Sequence, residues 1–226
     1  MATQLKRTEL IFKEYMDCNA LMKNVMKMGR DAFIQELLDS GLKGRGGAGF
    51  PTGLKWKIVK ETNSDVKYVV CNADEGEPGT FKDREILTKA SDKVVWGMAL
   101  AAYIVGAKEG FIYLRGEYKF LGTKLRIAID RMENSIRALG INFKLELVFG
   151  AGAYICGEET SLLQSMAGHR GEPTNKPPFP VNWGYLGKPT VVNNVETFVN
   201  TMIIAEIGSA EYKKLGTKAS QGSKLF

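Results

Sequence analysis

The sequence predicts an α/β fold, a Rossmann-like, mostly parallel sheet flanked by helices, and three observations carry that expectation. Short apolar runs rich in β-branched and aromatic residues alternate with segments of helical apolar spacing, the order in which strand–helix–strand units build a parallel sheet. A glycine-rich loop, Gly44-Arg-Gly-Gly-Ala-Gly49, lies between two helical stretches, and a second glycine turn follows the third apolar run. The 226 residues, 44% hydrophobic and 25% charged, suffice for one large core and show neither repeat nor low-complexity tract.

Residues 1–30 read as a helical lead-in. The start, MATQLKRTELIFKEY, lacks the short apolar core and small-residue cleavage site of a signal peptide. No run approaches the roughly 18 apolar residues of a membrane span, so a cytoplasmic or matrix-facing place without direct membrane insertion is expected. Asp31 to Ser40 sets Phe33, Ile34, Leu37 and Leu38 at helical spacing and stops at Gly41, which can take the left-handed conformation that ends helices.

Leu54 to Lys60 reads as the next helix, and Lys67 to Cys71 as a buried strand. Asn72 to Phe81 is then a turn or functional loop. Asp83 to Val105 is helical, in two pieces; Phe111 to Leu114 is a second strand, Tyr118 to Leu139 a long helix, and Leu145 to Phe149 a third strand. Gly150 to Gly157 turns from that strand into a helix starting at Glu158 and running to Met166, the kind of junction where α/β sheets bind ligands. Gly171 to Thr190 is proline-rich and without periodicity, an ordered loop or lid. Val195 to Ile207 returns to helix, and Gly222 to Phe226 reads as the beginning of a strand with nothing after it, so the chain looks interrupted.

Composition narrows the chemistry. The three cysteines (Cys18, Cys71, Cys156) form no Cys-x-x-Cys pair, and His169 is the single histidine, too few ligands for a usual zinc or four-iron site. Cys71 and Cys156 lie in apolar surroundings, where a thiol serves as a small hydrophobe. The net charge of +6 suits an anionic cofactor or acidic partner subunits. Because the lysines and arginines are scattered, it argues against nucleic acid.

Gly44 to Gly49 formally matches G-x-G-x-x-G, but it follows a helix rather than a strand, so a dinucleotide fingerprint is rejected. A P-loop is rejected too, because Leu54 separates Gly53 from Lys55 and Trp56 follows the lysine. What remains is four glycines in six residues whose N–H groups can converge on an anion, beside the start of a helix that carries Lys55 in its first turn. Asn72-Ala-Asp-Glu-Gly-Glu-Pro-Gly79 gathers three carboxylates and an amide directly after a strand. That cluster fits a metal or acid–base site, a hydroxyl-rich or heteroaromatic ligand, or a solvated acidic turn.

Four blocks in order, Gly44 to Trp56, Cys71 to Arg84, Gly150 to Thr160 and Val192 to Thr197, resemble the complex I 51 kDa flavoprotein family, over about residues 30 to 207. That family also holds the flavin subunits of NAD-dependent hydrogenases and formate dehydrogenases. The resemblance implies an FMN- and NADH-binding α/β domain over 31–207, with 208–226 opening a β-rich domain that is cut off. It implies hydride transfer from NADH to FMN, needing no catalytic side chain, with single electrons passed to iron–sulfur partners, among them a thioredoxin-like two-iron subunit. The cysteines of the family's own four-iron cluster are not in this chain.

By motif position, the resemblance gives FMN to Gly44, Gly46 and Lys55 at the phosphate, and to Asn72, Asp74, Tyr154, Gly157, Glu158, Asn193, Asn194 and Thr197 at the ribityl and ring. It gives NADH to Glu77 at the nicotinamide, Glu159 at the adenosine ribose, and Phe50 and Phe179 at the adenine, with Lys176 near. Ile58 stands where relatives tend to place a further aromatic. Three other readings stay open: a fragment without flavin, the flavin subunit of a soluble electron-bifurcating hydrogenase or formate dehydrogenase, and a metal enzyme built on the acidic loop.

Overall fold

The computed structural model describes residues 8–150, 153–217 and 220–225. The first seven residues of the expected helical lead-in, Ala151 and Gly152 of the second glycine turn, Lys218, Ala219 and Phe226 lie outside the described residues.

Among the described residues four strands, β1 (Tyr68–Ala73), β2 (Glu109–Leu114), β3 (Lys144–Phe149) and β4 (Thr190–Asn194), form one sheet in the order β3-β2-β1-β4. Every neighbouring pair is parallel. Three of the strands follow the apolar runs read from the sequence. The fourth, β4, falls between the expected loop, which ends at Thr190, and the expected helix from Val195, in a stretch assigned to neither; only Val191 and Val192 are apolar there, and Asn193 and Asn194 follow them.

Alternation along the strands divides the core in two. Val69, Cys71, Ala73, Ile112 and Leu114 face one way, with α5 (Ser91–Val105), α6 (Gly122–Arg137) and α8 (Val195–Lys213) packed over them. Tyr68, Val70, Phe111, Tyr113 and Val192 face the other way, under Leu162 and Leu163 of α7 (Glu159–Met166). Each buried valine, leucine and isoleucine among them contributes about 1.5–3 kcal/mol. The helices α1 (Cys18–Met28), α2 (Arg30–Ser40) and α3 (Thr52–Glu61) join the first layer.

Two close helix contacts depend on glycine. A Cβ at Gly53 of α3 would lie 2.7 Å from the Leu38 nitrogen of α2, and one at Gly97 of α5 would lie 2.4 Å from the Phe198 oxygen of α8. Gly41 ends α2 in the left-handed conformation, as its sequence suggested.

The long segment 83–105 does divide, into α4 (Lys82–Lys89) and α5. The expected helix from Tyr118 begins late: Gly116–Leu121 is a 3-10 turn with Tyr118 off helical geometry, its hydroxyl donating to Glu75 at 3.1 Å. The expected strand at the end is not formed over Gly222 to Leu225. Gly222 has φ 83, and the segment folds back on α8, where the Leu225 N–H donates to Glu196 at 2.9 Å.

Candidate functional site

The chain moves from β1 to β2 to β3 with its connecting helices on one face, then crosses by α7 on the opposite face to place β4 on the other side of β1. Outside the carboxyl ends of β1 and β4 the connections therefore diverge, and an open crevice is left there. Asn72 of β1 and Asn194 of β4 lie in register at its floor. A cleft of about 540 Å³ opens over them, walled by the glycine loop, the acidic loop, the start of α4 and the turn before α7.

The glycine loop is held from both ends. Gly44 N–H donates to the Phe50 carbonyl at 2.9 Å, and the Arg45 N–H donates to Thr197 Oγ1 at 2.9 Å. The Arg45 guanidinium reaches back to the Gln221 carbonyl at 2.8 Å. Gly47 (φ 119) and Gly49 (φ 67) take conformations that other residues adopt only with strain. Gly46 leaves room over Asn194, whose Cβ would be 3.1 Å from a Cβ placed there.

The acidic loop is organised by its own carboxylates. Glu75 is buried, and it accepts the Asp83 and Arg84 N–H groups at 2.9 and 3.2 Å, capping α4 from a distance. The Arg115 guanidinium donates to the Glu75 carbonyl at 2.5 Å and pairs with Glu117 at 2.6 Å. Asn72 Oδ1 accepts from the Asp74 N–H at 3.1 Å. Asp74 Oδ2 is buried and has no hydrogen-bond partner among the described residues. Burial pushes the Asp74 carboxyl up to about 6, against the pull of Arg115.

On the third side, Glu158 caps α7 by accepting the Thr160 and Ser161 N–H groups at 2.8 and 3.0 Å. Lys176 from the proline-rich loop lies 2.7 Å from Glu158 and 3.2 Å from Glu159. Burial alone raises the Glu158 carboxyl, but the hydrogen bonds from Lys176, Thr160 and Ser161 outweigh it and hold it below its ordinary value. Lys55 donates to the Val192 carbonyl at 2.8 Å and lies 3.3 Å from Glu159. Tyr154 donates to Glu77 at 2.8 Å.

The structure thus brings Gly46, Asn72, Asp74, Glu77, Tyr154, Gly157, Glu158 and Asn194 to the cleft wall. It does not place the other predicted residues there. Gly44 closes the glycine loop behind it, and Thr197 supports the same loop from α8. Asn193 is buried and accepts from the Trp56 indole at 2.9 Å. Lys55, Glu159 and Lys176 make an ion cluster beside the cleft, while Phe50 and Phe179 are exposed and Ile58 is half-buried. Residues with no role assigned from the sequence also line the cleft, chiefly Arg45, Glu75, Thr80, Lys82, Asp83 and Ile155. Their place inside the same glycine-rich and charged blocks is the one signal the sequence offered for them.

The sequence pattern of the complex I 51 kDa family, described as the Nuo51 FMN-binding domain, matches residues 37–202. This chain belongs to that family. It is 47% identical over 224 residues to the NAD-reducing hydrogenase HoxS subunit alpha of Cupriavidus necator, covering 96% of this chain and 37% of that protein. It is 49% identical over 211 residues to the NADP-reducing hydrogenase subunit HndC of Solidesulfovibrio fructosivorans (91% and 43% covered). It is 46% identical over 211 residues to an NADH-quinone oxidoreductase subunit of Aquifex aeolicus (91% and 49% covered).

A crystal structure of an NAD+-reducing NiFe-hydrogenase in the H2-reduced state superposes with a TM-score of 0.90 at 43% identity, over 96% of this chain and 38% of that one. The chain therefore spans less than half the length of each of these relatives. Among the described residues no helix is long and apolar enough to cross a membrane.

The residues present fit an FMN. The Asp74 oxygen with no partner among the described residues can accept from a hydroxyl, as a polyol chain would supply. The glycine loop leaves a side-chain-free surface where backbone N–H groups can meet a phosphate.

Proposed function

We propose that this chain is the NADH-oxidising module of a larger oxidoreductase, holding FMN in the cleft between the ends of β1 and β4. The observation that carries the reading is the Asp74 oxygen, without a partner among the described residues, in a glycine-walled cleft at the point where the sheet connections diverge.

In this reading the glycine loop holds the phosphate, Gly46 at the cleft wall, Gly44 closing the loop through its bond to the Phe50 carbonyl and Lys55 lending its charge from behind, each charge-assisted hydrogen bond contributing about 1.5–3 kcal/mol. Asp74 accepts from the ribityl chain, and Asn72, Asn194, Tyr154, Gly157 and Glu158 shape the ring site, with Asn193 and Thr197 supporting from below. Glu77 meets the nicotinamide, Phe50 and Phe179 the adenine, and Lys176 with Glu159 the ribose end. When bound, FMN would supply a two-electron acceptor for the NADH hydride that releases electrons one at a time. The chain's own contribution is stacking, orientation and exclusion of water; no side chain has to take a proton from substrate. Three relatives are named as subunits, which supports a multi-subunit assembly; iron–sulfur partners, a thioredoxin-like two-iron subunit among them, are the electron acceptors this reading assigns to it.

The test is the visible spectrum of the purified chain after incubation with FMN and removal of the excess. Flavin bands that bleach on adding NADH are the expected result. A colourless protein that takes up no FMN would overturn the reading.

A further inference from the structure

Lys82 lines the cleft close to Asn194, where a cation would ordinarily be taken for an anchor of the ligand's phosphate. Its hydrogen bonds exclude that role. The ammonium has three donors, and they go to Asp83 Oδ1 at 2.7 Å, Glu196 Oε2 at 3.1 Å and Asn194 Oδ1 at 3.1 Å. None is left for a ligand.

The same network fixes Asn194. Its Oδ1 accepts from Lys82 and from the Glu196 N–H at 3.0 Å, while its Nδ2 donates to Asp83 Oδ2 at 2.6 Å. Rotating the amide by half a turn would set its oxygen against the Asp83 carboxylate and its NH2 against an ammonium and an N–H. Three attractive contacts would become three repulsive ones. An amide NH2 carries two hydrogens, so among the described residues one N–H of Asn194 remains uncommitted at the cleft floor.

The parts come from separate elements. Lys82 and Asp83 open α4, which Glu75 of the acidic loop caps; Asn194 ends β4, and Glu196 begins α8. Glu196 and Asp83 are buried at 2% and 3% exposure, so each depends on Lys82 for its counter-charge.

We propose that Lys82 is a positioning residue, which with Asp83 holds the Asn194 amide in the one orientation that offers a hydrogen-bond donor to an acceptor atom of the cleft ligand. The proposal deepens the reading of the cleft as an FMN site and rests on it. It assigns Asn194 a carbonyl oxygen or an unprotonated ring nitrogen as its partner, and it removes Lys82 from the groups that touch phosphate.

The test combines an amide spectrum with a double-mutant cycle on the purified chain. In 15N–1H correlation spectra of the flavin-free protein, the Asn194 side-chain pair should show two well-separated proton shifts that draw together in Lys82→Met; an unchanged pair overturns the proposal. FMN dissociation constants are then measured by quenching of flavin fluorescence for wild type, Lys82→Met, Asn194→Ala and the double variant. Lys82→Met should weaken binding about tenfold in the wild-type background and less than about twofold once Asn194 is alanine. Equal losses in both backgrounds would mean that Lys82 acts by itself, and would overturn the proposal.

Asp83→Asn, which keeps the shape and removes the carboxylate that the Asn194 NH2 faces, repeats the cycle if Lys82→Met does not fold. If wild type takes up no FMN, the reading of the site fails, while the amide spectrum still decides the role of Lys82.

Discussion

The Asn72 side-chain amide donates to the Gly157 carbonyl at 2.8 Å, which ties the end of β1 to the turn that leads into α7. Its oxygen takes the Asp74 N–H at the same time, so one side chain sets the distance between the acidic loop and the third wall of the cleft. Asn72→Ala should lower stability by about 1 kcal/mol, the net worth of such a bond, and weaken FMN retention about tenfold. Urea unfolding and the flavin content of the purified variant measure the two effects; full flavin content would show that this tie does not shape the site.

Gly97 places α5 against α8, and α8 carries Thr197, on which the glycine loop rests. Alanine there gains up to about 1 kcal/mol of helix propensity. It also drives a methyl group to 2.4 Å from the Phe198 carbonyl, a backbone atom with no rotamer to yield. Overpacking of this kind costs about 1–3 kcal/mol, so Gly97→Ala should be destabilised on balance, with a lowered urea midpoint. A midpoint equal to or above wild type would mean that the helices can part without loss.

Much of this architecture is legible because burial writes itself into the apolar period. Val69 and Cys71, or Ile112 and Leu114, belong to strands buried on both faces, and such strands read as unbroken apolar runs. β4 escapes that reading because two of its five residues are Asn193 and Asn194, types that usually mark turns. A hidden β4 also hides its insertion beside β1, and that insertion alone brings Lys82 within reach of Asn194 and Glu196. The glycine and carboxylate clusters point to a ligand from the sequence alone. Which charges touch it and which only hold its neighbours depends on hydrogen-bond counting in three dimensions.

Asp74 gives the site a pH signature. Burial raises its carboxyl from an ordinary 3.8 to about 6, so between those values the folded flavin-free chain holds a proton that the unfolded chain has lost. Stability from this group is complete below about pH 4 and declines as pH rises through about 6. Asp83, pushed up to about 6 by its own burial, contributes a slope of the same sign. Asp74→Asn should therefore raise the urea midpoint at pH 7.5 and leave it nearly unchanged at pH 4, while FMN uptake falls because a carboxylate acceptor is gone. A variant no more stable than wild type at pH 7.5 would show that the carboxylate is not strained in the free protein.

Glu159 stands between Lys55 at 3.3 Å and Lys176 at 3.2 Å. If the adenosine ribose lies at this cluster, the carboxylate is the one group of the three that opposes a 2′-phosphate, and it also occupies the two ammonium groups that could welcome one. Glu159→Gln removes a charge and releases both lysines, so the two effects act in the same direction. With the FMN-loaded chain and ferricyanide as acceptor, the ratio of kcat/KM for NADPH to that for NADH should rise about tenfold or more, since like charges a few ångströms apart near a surface interact by several kcal/mol before screening. Adding Lys176→Met should return part of the gain. An unchanged ratio in Glu159→Gln would move the ribose end of the dinucleotide away from this cluster, to a part of the cleft that neither lysine reaches.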